Sequence, residues 1–176
     1  MRTSIILVTY NGLRYLPGCL ESLRVELGAE DELILVDNAS TDGSVEFVRT
    51  HWPQLSLIQN EHNSGFAAAS NQGAALAQGE YLVFLNQDTQ VQPDWLTGLL
   101  KPITQEPATG LVTSKVICMA QPGQIHMCGQ DIHFTGFSFG RGFLTPADGF
   151  LQPGAVSAVS GASFAIRRTL WEKLGG

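Results

Sequence analysis

The chain is expected to fold as an α/β domain built on a mostly parallel sheet flanked by helices. Three features predict this. Apolar, β-branched runs of strand length recur through the first half. Between them lie segments with apolar residues at helical spacing. The strand-like runs are apolar without interruption, as in strands covered on both faces.

The elements follow in order. "TSIILVT" (3–9) reads as the first strand. "GLRYLPGCLESLRVEL" (12–27) places Leu13, Leu16, Leu20, Leu23 and Leu27 on one helical face. "DELILVD" (31–37) is a second strand. "STDGSVEFVRTHW" (40–52) is a second helix, with Ser40, Thr41 or Asp42 available as N-cap. "LSLIQN" (55–60) is a third strand, "GFAAASNQGAALAQG" (65–79) an Ala-rich helix, and "EYLVFLN" (80–86) a fourth strand. Such alternation implies right-handed crossovers between parallel strands.

Beyond Asp88 the pattern loosens. "PDWLTGLLKPI" (93–103) reads as a helix with Pro93 in its first turn, and "TGLVTSKVI" (109–117) as a strand. Residues 122–154 are rich in Gly and aromatics, which suggests an additional β-hairpin region laid against the sheet. "AVSAVSGASFAI" (155–166) is expected as a late strand and "RRTLWEKLGG" (167–176) as a short helix. A double Gly stops a helix well and finishes a domain poorly, so the chain is expected to be a fragment.

With 176 residues, 44% hydrophobic and 15% charged, the composition is that of one globular domain. The net charge of −6 and pI near 5.1 argue against a nucleic-acid surface, which would want a basic face. Cys19, Cys118 and Cys128 are odd in number and scattered, which argues against a disulfide framework and for the cytoplasm. "SIILV" is too short for a secretory signal, and no run approaches the roughly 20 apolar residues of a membrane helix. Peripheral association with the inner face of a membrane stays open.

Polar residues collect where the predicted strands end. They are Thr9, Tyr10 and Asn11, then Asp37 and Asn38, then Asn60 and Asn63, then Asn86 and Asp88. Any one of these is an ordinary cap or turn former. Four strand ends together read as one ligand site, because open parallel sheets bind ligands beyond the carboxyl ends of their strands. No G-x-G-x-x-G or Walker-type loop follows the first strand. Between Arg49 and Lys101 there is no Lys or Arg. A diphosphate near Asp88 would therefore need a dication beside it, and Asp88 is expected to anchor Mg²⁺ or Mn²⁺.

"VTYNG" (8–12), "LVDNASTDGS" (35–44), "NSGFAAASNQG" (63–73), "FLNQDT" (84–89) and "VSGASFAIRR" (159–168) occur in the order and spacing of family 2 glycosyltransferases. The chain resembles that family over essentially its whole length, most closely the rhamnosyltransferase-like branch that builds bacterial cell-surface polysaccharides. The resemblance implies the GT-A fold. It also implies inverting transfer of a sugar from a nucleoside-diphosphate sugar, with dTDP-rhamnose or a UDP-sugar as the guess, to a saccharide or lipid-linked saccharide. Residues 1–90 would then be the nucleotide-binding half and 91–176 the acceptor-side half, incomplete at its C-terminus.

By motif match, Thr9, Tyr10 and Asn11 line the nucleotide-base pocket, with Asp37 and Asn38 beside it and Asn63 among the nucleotide-binding residues. "NQD" stands in place of the family's D-x-D motif. Asn86 faces the ribose, Asp88 binds the metal that bridges the diphosphate, and Gly161 and Ala162 lie near the sugar or acceptor. Two departures follow. Asn38 replaces an Asp that many members carry, though an amide can still donate to and accept from a pyrimidine edge. Asn86 replaces the first Asp of D-x-D and removes one charge near the metal. The family's general base is an acidic residue in a segment after "LGG", so it is expected beyond Gly176. Asp131 and Asp148 read as loop residues. The 176-residue chain is thus expected to bind nucleotide and to transfer poorly.

Two other readings compete. A sugar nucleotidyltransferase would want a Gly-rich, Arg-bearing loop after the first strand, which "TYNGLRYL" does not provide. A non-catalytic nucleotide-binding domain would keep the fold alone. "GFSFG" (136–140) lacks the helix that a nucleophile elbow requires. His126, Cys128, Asp131 and His133 lack the spacing of a standard zinc site. Phe137, Phe139 and Phe143 offer ring faces on which a sugar could stack.

Overall fold

Four parallel strands form the centre of the computed structural model, which describes residues 2–176. They are β1 (Thr3–Thr9), β2 (Glu32–Asp37), β3 (Ser56–Gln59) and β4 (Tyr81–Asn86). Between them run the helices α1 (Leu16–Arg24), α2 (Ser44–His51) and α3 (Phe66–Leu76). Successive residues of each strand point to opposite faces. Ile5, Leu7, Leu33, Leu35, Val83 and Leu85 join one core with Leu16, Leu20 and Leu23 of α1. Ile6, Ile34, Leu82 and Phe84 join a second core with Ala74 and Ala77. The uninterrupted apolar runs are explained by these two cores.

Small residues let α3 approach the sheet closely. A Cβ on Gly73 would stand 2.5 Å from Ile6 Cγ2 and 3.2 Å from Val36 Cγ2. On the other face α4 (Trp95–Gln105) buries Leu96, Leu99, Leu100 and Ile103. It begins after Pro93, and the Glu26 carboxylate caps it by accepting the Asp94 and Leu96 amides, each at 2.9 Å.

Two other helix starts also differ from expectation. α1 begins at Leu16 rather than Gly12, because Gly12–Tyr15 forms a turn whose carbonyl at Gly12 accepts from Tyr15 and Leu16. α2 begins after Gly43, which takes the left-handed conformation (φ 92°), and not at a Ser, Thr or Asp cap. Asp42 contributes from one residue earlier by accepting the Ser44 amide at 3.0 Å.

The second half departs further from a simple repeat. The predicted strand 109–117 breaks into β5 (Leu111–Thr113) and β6 (Val116–Ile117). β6 pairs with β7 (Ile125–Met127), and β8 (Gln130–Ile132) pairs with β9 (Ser138–Gly140). Both pairs are antiparallel and stand apart from the central sheet, so the expected hairpins form. Of the predicted strand 155–166 only the end is a strand, β10 (Ser163–Arg167). It runs antiparallel to β4 and to β5, giving the sheet order β3-β2-β1-β4-β10-β5. The excursion between β5 and β10 leaves and returns at one point, where the Ser114 and Ser163 hydroxyls lie 2.7 Å apart. α5 (Arg168–Leu174) follows and stops at Gly175 (φ 94°). Among the described residues, no helix is long and apolar enough to cross a membrane.

Candidate active site

Strand order reverses between β1 and β4: the chain moves from β1 to β2 on one side, and β4 lies on the other. The crevice beyond the carboxyl ends of these strands is where such a sheet receives ligands.

Its first wall is built from the segments after β1 and β2. The Asn38 amide donates to the Thr9 carbonyl at 2.8 Å. Asn11 adopts φ 48°, donates its amide to Ser40 Oγ at 2.8 Å, and accepts the Thr41 amide on Oδ1 at 2.8 Å. Asp42 Oδ2 accepts the Leu13 amide at 2.9 Å. Desolvation alone would raise the Asp42 carboxyl, but the bonds from Ser44 and Leu13 outweigh it and hold the pKa below the usual carboxylate value. The motifs "VTYNG" and "DNASTDGS" are therefore one bonded unit.

Asn38 joins this unit to the segment after β3. Its Nδ2 donates to Asn63 Oδ1 at 2.9 Å and to the Gly65 carbonyl at 3.2 Å. Its Oδ1 accepts from Asn60 Nδ2 at 3.0 Å and from the Ser64 amide and hydroxyl, each at 3.1 Å. The donor and acceptor capacity expected to meet a base is thus taken up by the protein. An aspartate here would aim lone pairs at two oxygens. Asn38→Asp is expected to lower stability by about 2 kcal/mol. A urea midpoint unchanged from wild type would refute this role.

Asp37, also buried, is different. Its Oδ2 accepts the Ser40 amide at 3.0 Å, while its Oδ1 is buried with no partner among the described residues. An unanswered carboxylate oxygen at the end of β2 is an acceptor waiting for a donor.

The opposite wall is the turn after β4. Asn86 donates its amide to the Ala162 carbonyl at 3.0 Å, so the antiparallel direction of β10 brings Gly161 and Ala162 to this edge. Gly161 is exposed, and a Cβ there would meet only Phe66 at 4.0 Å. The Asn86 carbonyl accepts Thr89 Oγ1 at 2.7 Å, and Ser22 Oγ accepts the Val91 amide at 3.0 Å, which fastens the turn onto α1. Cys19 lies beneath it. Burial, against a bond with Thr89 and with help from the Asp88 charge, pushes that thiol up to about 12, so it is unsuited to act as a nucleophile.

Some polar groups at the ends of β1 and β4 are left unbonded. Asp88 is exposed, and neither its carboxylate nor the Asn86 carboxamide hydrogen-bonds to the protein among the described residues. The Tyr10 ring is 47% exposed. Thr9, Asn11, Asn38 and Asn63, in contrast, spend side-chain polar atoms on the frame.

One framework residue escaped the sequence reading. Gln87 lies between Asn86 and Asp88, and its Oε1 accepts from Thr9 Oγ1 at 2.5 Å and from the Tyr10 amide at 3.1 Å. Only its place inside "NQD" hinted at it.

Among the described residues, no group of three His, Cys, Asp or Glu could hold a metal ion, which includes the set around His126 and His133. Asp131 pairs with Arg141 at 3.3 Å and Asp148 is exposed on the excursion.

A sequence profile of glycosyl transferase family 2 matches residues 4–175. An uncharacterized glycosyltransferase of Haemophilus influenzae is 32% identical over 115 residues, which cover 65% of this chain and 39% of that protein. A PGL/p-HBAD biosynthesis glycosyltransferase of Mycobacterium tuberculosis is 33% identical over 118 residues, or 65% and 46% of the two chains. Among solved structures, the mannosyltransferase PcManGT of Pyrobaculum calidifontis, in complex with GDP-Man and Mn²⁺, superposes with a TM-score of 0.70 at 24% identity. The match covers 99% of this chain and 46% of that one. S. aureus TarS in complex with UDP-GlcNAc gives 0.68 at 21%, covering 99% and 47%. The chain thus spans less than half the length of these proteins, and the two solved structures share its GT-A fold. With the profile running from β1 through α5, the chain belongs to glycosyl transferase family 2.

Proposed function

We propose that this domain binds a nucleoside-diphosphate sugar with Mg²⁺ or Mn²⁺ and transfers the sugar, with inversion, to a saccharide or lipid-linked saccharide acceptor. The observation that carries the reading is the buried, unpartnered Oδ1 of Asp37. It calls for an N–H donor. The ring N–H of uracil, thymine or guanine supplies one, whereas adenine and cytosine present a ring lone pair at that position. A pyrimidine donor such as dTDP-rhamnose or a UDP-sugar satisfies it. The complexes of PcManGT with GDP-Man and of TarS with UDP-GlcNAc are in keeping with a nucleotide-sugar donor.

The residues at the turn after β4 fit a dication that arrives with its ligand. A single free carboxylate, Asp88, cannot cage a metal, but one carboxylate plus phosphate oxygens is an ordinary Mg²⁺ arrangement. When bound, the ion supplies Lewis-acid stabilisation of the leaving diphosphate. Tyr10 covers the base, and the free carboxamide of Asn86 meets the ribose. The frame made by Thr9, Asn11, Asn38 and Asn63 holds these groups in place. Gly161, lacking a side chain, leaves room beside Ala162 for the sugar or the acceptor. Phe137, Phe139 and Phe143, exposed on the excursion, offer stacking faces to a saccharide. The acceptor hydroxyl must lose a proton to a base. Asp131 is already engaged by Arg141. The reaction is placed in the cytoplasm, peripherally at the inner face of the membrane where a lipid-linked acceptor would sit.

Calorimetry with dTDP, UDP, GDP and CDP, each with and without Mn²⁺, tests the proposal. Mn²⁺ is expected to tighten dTDP or UDP at least roughly tenfold, with CDP much weaker, since the cytosine edge leaves Asp37 unanswered. Equal affinity for CDP and UDP would reject the role of Asp37. Binding only of a triphosphate with a sugar phosphate would favour a nucleotidyltransferase, and no binding at all a non-catalytic domain.

A further inference from the structure

We infer that Gln87 is a positioning residue that fixes the distance between the base end and the diphosphate end of the crevice. The inference rests on the nucleotide-sugar reading above. β1 and β4 are paired through Val8 and Asn86, where their backbone ladder ends. One step further, the Gln87 side chain continues it. Oε1 accepts the Tyr10 amide at 3.1 Å and Nε2 donates to the Tyr10 carbonyl at 3.3 Å, so one carboxamide satisfies both backbone groups of one residue. Thr9 Oγ1 adds a third bond at 2.5 Å.

The clamp joins two short segments and nothing else. On one side are Thr9 and Tyr10, at the base end. On the other is Gln87 itself, with Asn86 before it and Asp88 after. Six residue pairs already hold β1 to β4, so the sheet does not need the clamp to form. What the clamp adds is a fixed offset between the two strand tips, where the backbones diverge.

Gly12 provides independent support. A Cβ there would stand 1.9 Å from Gln87 Oε1, 2.5 Å from its Cδ and 2.6 Å from Thr9 Oγ1. Its backbone is not in the left-handed region, so the requirement for glycine comes from the carboxamide packed against it. The glycine of "VTYNG" and the middle residue of "NQD" are two parts of one device.

A ligand that spans both ends gains from a preset offset, because each end binds without paying to move the other. A ligand that touches one end gains nothing. The test uses Gln87→Met, which keeps the length and removes every bond, Gly12→Ala, which evicts the carboxamide, and the double variant. Binding of UDP with Mn²⁺ is measured by calorimetry. Uridine alone and pyrophosphate with Mn²⁺ are followed by amide chemical shifts. Each single variant is expected to bind UDP–Mn²⁺ roughly tenfold more weakly, in the range seen when a supporting hydrogen bond behind a ligand is removed. Uridine and Mn²⁺-pyrophosphate should stay within about twofold of wild type, and the double variant should be no weaker than either single one, as for residues acting through one contact. Wild-type affinity for UDP–Mn²⁺ in Gln87→Met would overturn the inference. Equal loss of all three ligands would do the same, since it marks general damage. Should wild-type protein itself bind no UDP with Mn²⁺, the transferase reading fails first and the positioning role goes with it.

Discussion

Asp88→Asn is expected to leave UDP affinity the same with and without Mn²⁺. The substitution keeps the shape of the side chain and removes its charge. Because Asp88 makes no hydrogen bond among the described residues, the melting temperature should not change. No Lys or Arg occurs between Arg49 and Lys101, so the segments after β3 and β4 offer the diphosphate no cation of their own. The loss should equal the whole Mn²⁺ effect on wild-type UDP binding, at least roughly tenfold. It should be larger in the transfer rate, since Lewis-acid stabilisation of a phosphate leaving group is worth several kcal/mol. A variant in which Mn²⁺ still tightens UDP would remove Asp88 from the metal site.

Phe84→Ala should have the largest effect on stability. The ring is fully buried at the centre of β4. It stacks on Phe164 with centroids 4.7 Å apart and meets Trp171 at 4.6 Å. Removing it opens a cavity between the sheet and α5 and forfeits two aromatic contacts, for a cost of about 3–5 kcal/mol. Urea unfolding should show a lower midpoint with an unchanged slope. A loss below about 1 kcal/mol would mean that the β4–β10–α5 packing is not as described. Phe84 is also two residues from Asn86, so the packing that holds the fold seats the site.

The first half was legible because each element carries its own signal. Uninterrupted apolar runs such as "SIILV" and "LVFL" mark strands with two buried faces, and both faces are indeed filled. Helix starts were less legible. Gly12 had to accept two amides before α1 could begin, and Glu26 reaches α4 across roughly 70 residues of sequence. The direction of β10 could not be read, because "AVSAVSGASFAI" alternates like a strand over its whole length while only its end finds a partner. Once the helical crossover between β5 and β10 is replaced by hairpins, nothing in the pattern forces the strands to be parallel.

The site divides in the same way. Asp37 and Asp88 are marked in sequence only as strand-end carboxylates, which are as often turn formers. The structure shows that Asp37 does accept the Ser40 amide with one oxygen while the other is left over. Asn38 and Gln87 could not be sorted from sequence, since an amide serves a ligand or a neighbouring backbone equally well. Only their partners, at positions 63–65 and 9–10, reveal which.

The hydroxyl pair of Ser114 and Ser163 has an evolutionary corollary. A detour that departs and rejoins at a single gate can be lengthened, shortened or exchanged while the sheet on either side keeps its register, and the entropy of closing such a loop grows only slowly with its length. On the nucleotide-sugar reading proposed above, donor binding at the ends of β1, β2 and β4 would survive the swap, and the surface proposed for the acceptor would be rewritten. A chimaera that takes residues 115–159 from another member of the family should therefore inherit new acceptor tastes on an old nucleotide appetite.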